Sequence, residues 1–308
     1  VKLGPSGEHE ASADTPWRGG RLDSRAGPKK VLFGRMYEDV AIERAAFAPG
    51  ARVFCIASAG CTALGLSDRH EVVACDINPA QLAYAEERIA GAPARAGTAE
   101  RVMGFGRSLA RLAGWSPQAL RDFVDLTDTA AQTRFWHEHL DTWRFRTGFG
   151  ALMSVLPLRA VYRGELLGFL PARFGSVLRS RMERCFERHP NATNPYARAL
   201  FLGEGPPAAE ARSDAHRIRL VPSDAASFLE SCPGGSFDGF ALSNILDGAS
   251  ASYRARLFAA VEHAASPDAV VVLRSFAEPE EPRPTNRAVD DRSMLWGIVD
   301  VRRVTPSR

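Results

Sequence analysis

The sequence predicts an α/β protein: an open sheet of strand–helix units, interrupted by a long helical insert. Three observations predict it. Val53–Gln81 runs as apolar strand, small-residue turn, short helix and second apolar strand, the opening of a βαβ unit. The same strand-then-helix rhythm returns between Arg217 and Phe276. Between these two regions, residues 100–203 carry many helical signals and few strand signals.

In chain order, residues 1–30 are polar and rich in Gly, Pro and charge, which predicts a disordered or loosely attached segment. A single α/β domain is expected over 31–308. Val31–Asp39 (VLFGRMYED) is the first stretch with order-forming character, and it leads into a helix over Val40–Phe47. Pro49-Gly50 turns the chain into the first strand, Val53–Ala57. Ser58-Ala59-Gly60 is a turn, Cys61–Leu66 a short helix, and Glu71–Cys75 a second strand closed by Asp76. Leu82, Ala83, Ala85, Glu86 and Ile89 mark a helix over Pro79–Ile89, followed by a Gly/Ala/Pro loop over 91–99.

The insert, about 100–203, should hold helices over Leu120–Phe135 and Phe174–Phe186. Its aromatics Trp115, Phe135, Trp136, Trp143, Phe145 and Phe149 are expected to pack in a core. The sheet resumes with Arg217–Pro222, then Ser223-Asp224 and a helix through Leu229. Ser236–Leu242 is the next strand and ends in Ser243-Asn244. Tyr253–Ala264 is an amphipathic helix, Ala269–Phe276 a buried strand and Leu295–Val304 a final strand. Residues 278–287 form a Pro/Glu/Arg loop, and no repeat of fixed period occurs.

A chain of 308 residues, 45% hydrophobic and 24% charged, has room for a full core. The formal net charge is only +3, and Lys2, Lys29 and Lys30 are the sole lysines. That Arg, Ala and Gly bias matches a GC-rich bacterial genome, so the basicity does not argue for nucleic acid. Five cysteines without a C-x-x-C pair suggest neither a disulfide framework nor a zinc site. Cys55, Cys61 and Cys75 read as small buried hydrophobes. No run reaches transmembrane length and no apolar signal segment opens the sequence, which leads to the expectation of a cytoplasmic protein.

The chemistry sits at strand ends. A small-residue turn after the first strand lets a ligand approach backbone N–H groups, and an acid ending the second strand can accept two ribose hydroxyls. No G-x-G-x-x-G is present to cradle a pyrophosphate. The pair Ser58-Ala59-Gly60 and Asp76, with Asp76-Ile77-Asn78-Pro79 beginning the next helix, suits an adenosine without pyrophosphate, and S-adenosylmethionine is the candidate. Four positions fall on one sheet edge: Ser58–Gly60, Asp76, Asp224 and Ser243-Asn244. Asp224 either approaches the adenine amino group or caps the following helix.

LFGRMYED, IASAGCTAL, VVACDINPAQLA, FWHEHLDTWR, NPYARALFLGE and GSFDGFALSNIL, in this order, resemble the S-adenosylmethionine-dependent 3-amino-3-carboxypropyl transferases. That family includes the diacylglycerol transferase of betaine-lipid synthesis and isonocardicin synthase of β-lactam biosynthesis. The resemblance covers roughly residues 31–277. It implies a methyltransferase-like, Rossmann-type sheet with a helical insert, and a co-substrate site that takes in Asn78 and Gln81 of the DINPAQ segment. One departure is evident: the family's S-D-I-F segment after the fourth strand here reads Ser243-Asn244-Ile245-Leu246.

The implied reaction is attack of an acceptor oxygen on the γ-carbon of the methionine chain, releasing methylthioadenosine, with no metal. Arg35 is a candidate to hold the transferred carboxylate, and Tyr37, Glu38 or Asp39 its ammonium; alternatively, Phe33–Asp39 only caps the sheet edge. The base candidates are Asp247, just past the fourth strand, and His137 and His139, which bracket Glu138 two residues apart and so face different sides. A phenol, with a pKa of roughly 10, needs only a modest base. A diacylglycerol hydroxyl needs a stronger one and an apolar docking surface, and no long amphipathic helix with a basic face is evident. A soluble phenolic acceptor of the nocardicin type, in antibiotic biosynthesis, is therefore expected. Diacylglycerol transfer, ordinary methyl transfer and a non-catalytic nucleoside-binding module are the alternatives.

Overall fold

The computed structural model describes residues 15–22, 27–162, 164–205 and 214–305. Its sheet comprises β1 (Arg52–Ile56), β2 (Glu71–Asp76), β3 (Ile218–Pro222), β4 (Phe237–Ala241), β5 (Ala265–Ser275) and β6 (Ile298–Arg303). Their order is β3-β2-β1-β4-β5-β6, and every pair is parallel except β5–β6. The order reverses between β1 and β4, so a topological switch point lies where their carboxyl ends diverge. This is an α/β architecture compatible with a Rossmann-like fold.

Alternation along β1 builds both layers. Phe54 points to one face, among the side chains of α12 (Ala225–Ser231) and α13 (Ala251–Ala264), while Val53 and Cys55 point to the other. That second face packs on α1 (Ala41–Ala46), α2 (Cys61–Leu66) and the C-terminal Trp296 and Val299, with Leu82 of α3 (Pro79–Ile89) at its margin. All of β1 except its first residue is buried or nearly so, as expected of a central parallel strand.

Among the described residues, eight α-helices make the insert: α4 (Thr98–Ala110), α5 (Pro117–Val124), α6 (Thr129–Phe135), α7 (Trp143–Leu152), α8 (Val155–Val161), α9 (Gly164–Phe169), α10 (Phe174–Arg188) and α11 (Pro195–Phe201). Its core is aromatic: Trp115 packs on Phe145 with ring centroids 4.4 Å apart, and Phe123, Trp136, Phe186 and Phe201 close around them. Trp115 is also satisfied, its Nε1 donating to the Leu140 carbonyl at 2.8 Å.

Several expectations are corrected. The single helix expected over Leu120–Phe135 is two, because Asp128 caps α6 by accepting the Ala131 N–H at 2.7 Å. Among the insert aromatics, Trp143 is outside the core and 72% exposed. The 91–99 loop ends early, since Thr98 already begins α4. Part of the supposedly loose segment before residue 31 is packed. Thr15 caps a 3₁₀ turn over Pro16–Gly19, Trp17 packs on Phe33 at 6.1 Å, and Leu22 is buried. The rest of that expectation, residues 1–14 and 23–26, lies outside the described residues.

Two glycines explain how the 31–35 stretch is seated. A Cβ on Gly34 would fall 1.9 Å from the Arg95 carbonyl oxygen, and one on Gly97 2.7 Å from the Gly34 nitrogen. Only glycine permits that approach. It lets the Thr98 and Ala99 N–H groups donate to Val31 and Leu32 at 3.1 and 2.9 Å. Glu100 then accepts from the Gly34, Arg35 and Gly97 N–H groups at 2.8, 3.1 and 2.8 Å.

Candidate functional site

A cleft opens at the carboxyl edge of the sheet, at the switch point. Ile56, Ser58, Asp76, Ile77, Asn78, Gln81, Asp224, Ser243 and Asn244 line it, together with Thr15, Trp17, Phe33 and Tyr253. The strand ends singled out from sequence therefore converge, with two exceptions: Ala59 and Gly60 are buried in the turn and do not line the cleft. Gly60 instead begins α2 with φ at +79°.

Asp76 organises the floor. Its Oδ2 accepts the Ser58 N–H at 2.9 Å and its Oδ1 the Asn78 N–H at 2.8 Å. Each oxygen keeps acceptor capacity for a further donor from the cleft. Burial pushes the carboxyl up to about 6, against the pull of those two N–H groups. Ser58 and Ser243, at the ends of neighbouring strands, both adopt left-handed backbone, with φ of +44° and +53°. Such conformations in non-glycine residues carry a cost of order 1–3 kcal/mol and concentrate at functional sites.

Asn78 and Gln81 line the cleft, but their side chains serve the scaffold. Asn78 accepts from the Ala80 N–H at 3.1 Å, capping α3, and donates to the Lys30 carbonyl at 2.8 Å. Gln81 accepts from the Leu32 and Phe33 N–H groups at 2.8 and 3.1 Å and donates to the Phe33 and Ser58 carbonyls, both at 2.9 Å. All its hydrogen-bonding capacity ties the N-terminal stretch to the β1–α2 turn. Asp224 is the α12 cap, accepting from the Ser227 N–H at 3.0 Å, and it also accepts the Tyr253 hydroxyl at 2.6 Å.

The Arg35–Asp39 stretch is only partly what the sequence suggested. Arg35 donates to the Glu204 carbonyl at 3.0 Å and is not a lining residue of the cleft. Tyr37 is buried, with its phenol pushed up to about 12 by that burial, and its carbonyl accepts from Trp296 at 2.9 Å. Burial opposes the charge on Asp39, yet its paired hydrogen bonds from Arg292, at 2.5 and 2.8 Å, hold it below the usual carboxylate range. It is committed to Arg292 and is not available to an ammonium. Glu38 lies behind the cleft wall, where Ser243 Oγ donates to its Oε1. Burial pushes Glu38 up to about 7, although Arg274, 3.9 Å away, and the Ser243 hydroxyl favour its charge.

None of the three base candidates lines the cleft. Asp247 is buried and accepts three hydrogen bonds: Ser275 Oγ donates to it at 2.8 Å, the Phe276 N–H at 3.0 Å and Asn244 Nδ2 at 3.3 Å. It joins the ends of β4 and β5 and does not face the cleft. Burial raises it above the ordinary carboxylate range. His137 pairs with Glu183 at 2.7 Å on the insert surface, and His139 packs edge-on against Phe135 at 4.7 Å. Neither lines the cleft.

Sequence reading missed Thr15, Trp17 and Tyr253. Thr15-Pro16 was a usable signal, since a capping residue followed by proline at the first position marks a helical start. Among the described residues, no group of three or more His, Cys, Asp or Glu side chains could hold a metal. No helix among them is long and apolar enough to cross a membrane. No protein-family model, curated protein or solved structure matches this chain.

Proposed function

We propose that the chain binds S-adenosylmethionine in this cleft and transfers its 3-amino-3-carboxypropyl group to an acceptor oxygen, releasing methylthioadenosine. One observation carries the reading: Ser58, Asp76, Asp224 and Ser243-Asn244 converge on one cleft at the switch point. The ordered motifs that resemble the transferase family support it. The donor set suits the co-substrate. Asp76 retains lone pairs for the ribose hydroxyls, and the Trp17, Phe33, Ile56 and Ile77 side chains offer an apolar wall to a purine. Asp224, with one oxygen on Ser227 and the other on Tyr253, acts first as a cap.

The sulfonium makes the γ-carbon electrophilic and departs as a neutral thioether, taking the electron pair of the broken C–S bond. The protein's work is to align the acceptor oxygen and remove its proton. Glu38, acting through the Ser243 hydroxyl, replaces Asp247 as the proton acceptor in this reading: it is the carboxyl linked to the cleft wall whose affinity for a proton suits neutral pH. A phenolic acceptor, with a pKa of roughly 10, matches so mild a base. Diacylglycerol is the second reading, favoured by the exposed Phe105, Leu112 and Trp143 of the insert.

Product analysis tests the proposal. Purified protein with S-adenosylmethionine and a phenolic acceptor should yield methylthioadenosine and an acceptor carrying the four-carbon amino-acid chain, both visible by mass spectrometry. Acceptor-dependent S-adenosylhomocysteine would instead assign methyl transfer. Turnover of diacylglycerol in detergent with phenols inert would keep the chemistry and replace the acceptor.

A further inference from the structure

We infer that the outer face of the insert built by α4 and α7 docks on anionic lipid bilayers. The distribution of exposed apolar side chains points there. Six large hydrophobic side chains are exposed among the described residues: Phe105, Leu112, Trp143, Val155, Leu156 and, marginally, Val289. Five of the six fall on α4, the 3₁₀ turn that follows it, α7 and α8.

These elements are neighbours in space. An added Cβ on Gly106 of α4 would touch the Leu152 side chain at the end of α7, at 3.9 Å. At the other end, the Thr142 hydroxyl reaches the Ala113 carbonyl at 3.4 Å. The two helices therefore run antiparallel, with Leu112 and Trp143 beside one contact and Phe105 and Val155 beside the other. No residue of α4 is buried. Arg101, Phe105, Ser108 and Leu112 recur at helical spacing as one outward, exposed stripe.

The charge on this face selects the partner. Arg101, Arg111, Arg144 and Arg159 are exposed on the same elements. No Asp or Glu occurs from 142 to 164, and Glu100 is the sole acid from 97 to 113. The Glu100 carboxylate is already spent on three backbone N–H groups. Arg144 stacks over Trp143 at 5.7 Å, which joins an interface-seeking ring to a cation. Apolar side chains interspersed with arginine, on segments whose sole acid is Glu100, match a headgroup layer of negative charge, with rings entering the acyl boundary. The inference does not depend on the S-adenosylmethionine reading.

The test is sedimentation of the full chain with phosphatidylcholine vesicles, with and without phosphatidylglycerol. The protein should pellet with the anionic vesicles only, and less as salt rises. Vesicles with brominated acyl chains should quench its tryptophan fluorescence, and Trp143→Phe should lose most of that quenching. A Phe105→Ser, Leu112→Ser, Trp143→Ser variant, with its circular dichroism unchanged, should bind about ten-fold more weakly. Failure to pellet with anionic vesicles, or equal pelleting of that variant, overturns the inference. So does a concentration-dependent dimer abolished by Trp143→Ser, which would assign the face to a second copy.

Discussion

Asp76 and Glu38 are two carboxyls that burial holds above their ordinary range, and the proposed reaction makes a different demand on each. Asp76 must be charged to accept two ribose hydroxyls. Affinity for S-adenosylmethionine should therefore decline as pH drops below about 6, where Asp76 takes up its proton. Isothermal calorimetry from pH 5 to pH 8 reads this directly, and a flat profile would remove Asp76 from the ribose. Asp76→Ala should weaken binding by about 1.5–3 kcal/mol, the worth of hydrogen bonds to a charged group. Glu38 carries a stability signature as well. Its folded pKa of about 7 lies above the ordinary 4.5, so between those values the folded chain holds a proton that the unfolded chain releases. The stability this contributes is complete below about pH 4.5 and is lost as pH rises to about 7. Glu38→Gln removes the titration. Urea midpoints at pH 5 and pH 8 should fall less for the variant than for the wild type, and equal falls would show that Glu38 does not titrate there. In turnover, the wild-type rate should climb through neutral pH, and Glu38→Gln should lose that climb.

The β1–α2–β2–α3 segment shows why some structure could be read in advance. Apolar runs bounded by Gly, Asp and Asn-Pro leave little freedom, and both α2 and α3 fall where the pattern predicts. The partners of Gln81 could not be read. Its four hydrogen bonds reach Leu32, Phe33 and Ser58, so what looks like a ligand residue in a DINPAQ motif is the staple of a distant stretch. Gln81→Leu should strand the Leu32 and Phe33 N–H groups and destabilise the fold by about 1–3 kcal/mol. Limited proteolysis should then open the chain around residues 27–35 before the rest; protection equal to wild type would refute the staple. Asp247 and the histidine pair lie off the cleft for a related reason. Position after a strand or on a helix fixes where a backbone lies, but only tertiary contacts decide whether a carboxylate is spent on Ser275 and Phe276. The proposed docking face carries no signature of one long amphipathic helix because it is assembled from short ones.

The fold is tied together at Arg274, fully buried on β5. It donates to Glu43 of α1, to the Asp39 carbonyl at 3.1 Å and to Asp291 at 3.2 Å. Arg292 beside it clasps Asp39, and Trp296 donates to Tyr37. Arg274→Met should therefore cost about 3–5 kcal/mol in urea unfolding, because it leaves Glu43 and Asp291 buried without their counter-charge. A loss under about 1 kcal/mol would mean that the carboxyls neutralise by taking up protons. The Asp39–Arg292 pair spans 253 residues, and it fixes the stretch that holds Glu38 behind the cleft wall. On the ribosome Asp39 precedes Arg292 by those 253 residues. During synthesis the first wall of the site must wait, its carboxyls hydrated, until the loop that carries Arg292 emerges. The pocket therefore matures only after the segment that carries Arg292 is made, and a nascent chain halted before residue 286 should hold most of its sheet and none of its ligand affinity.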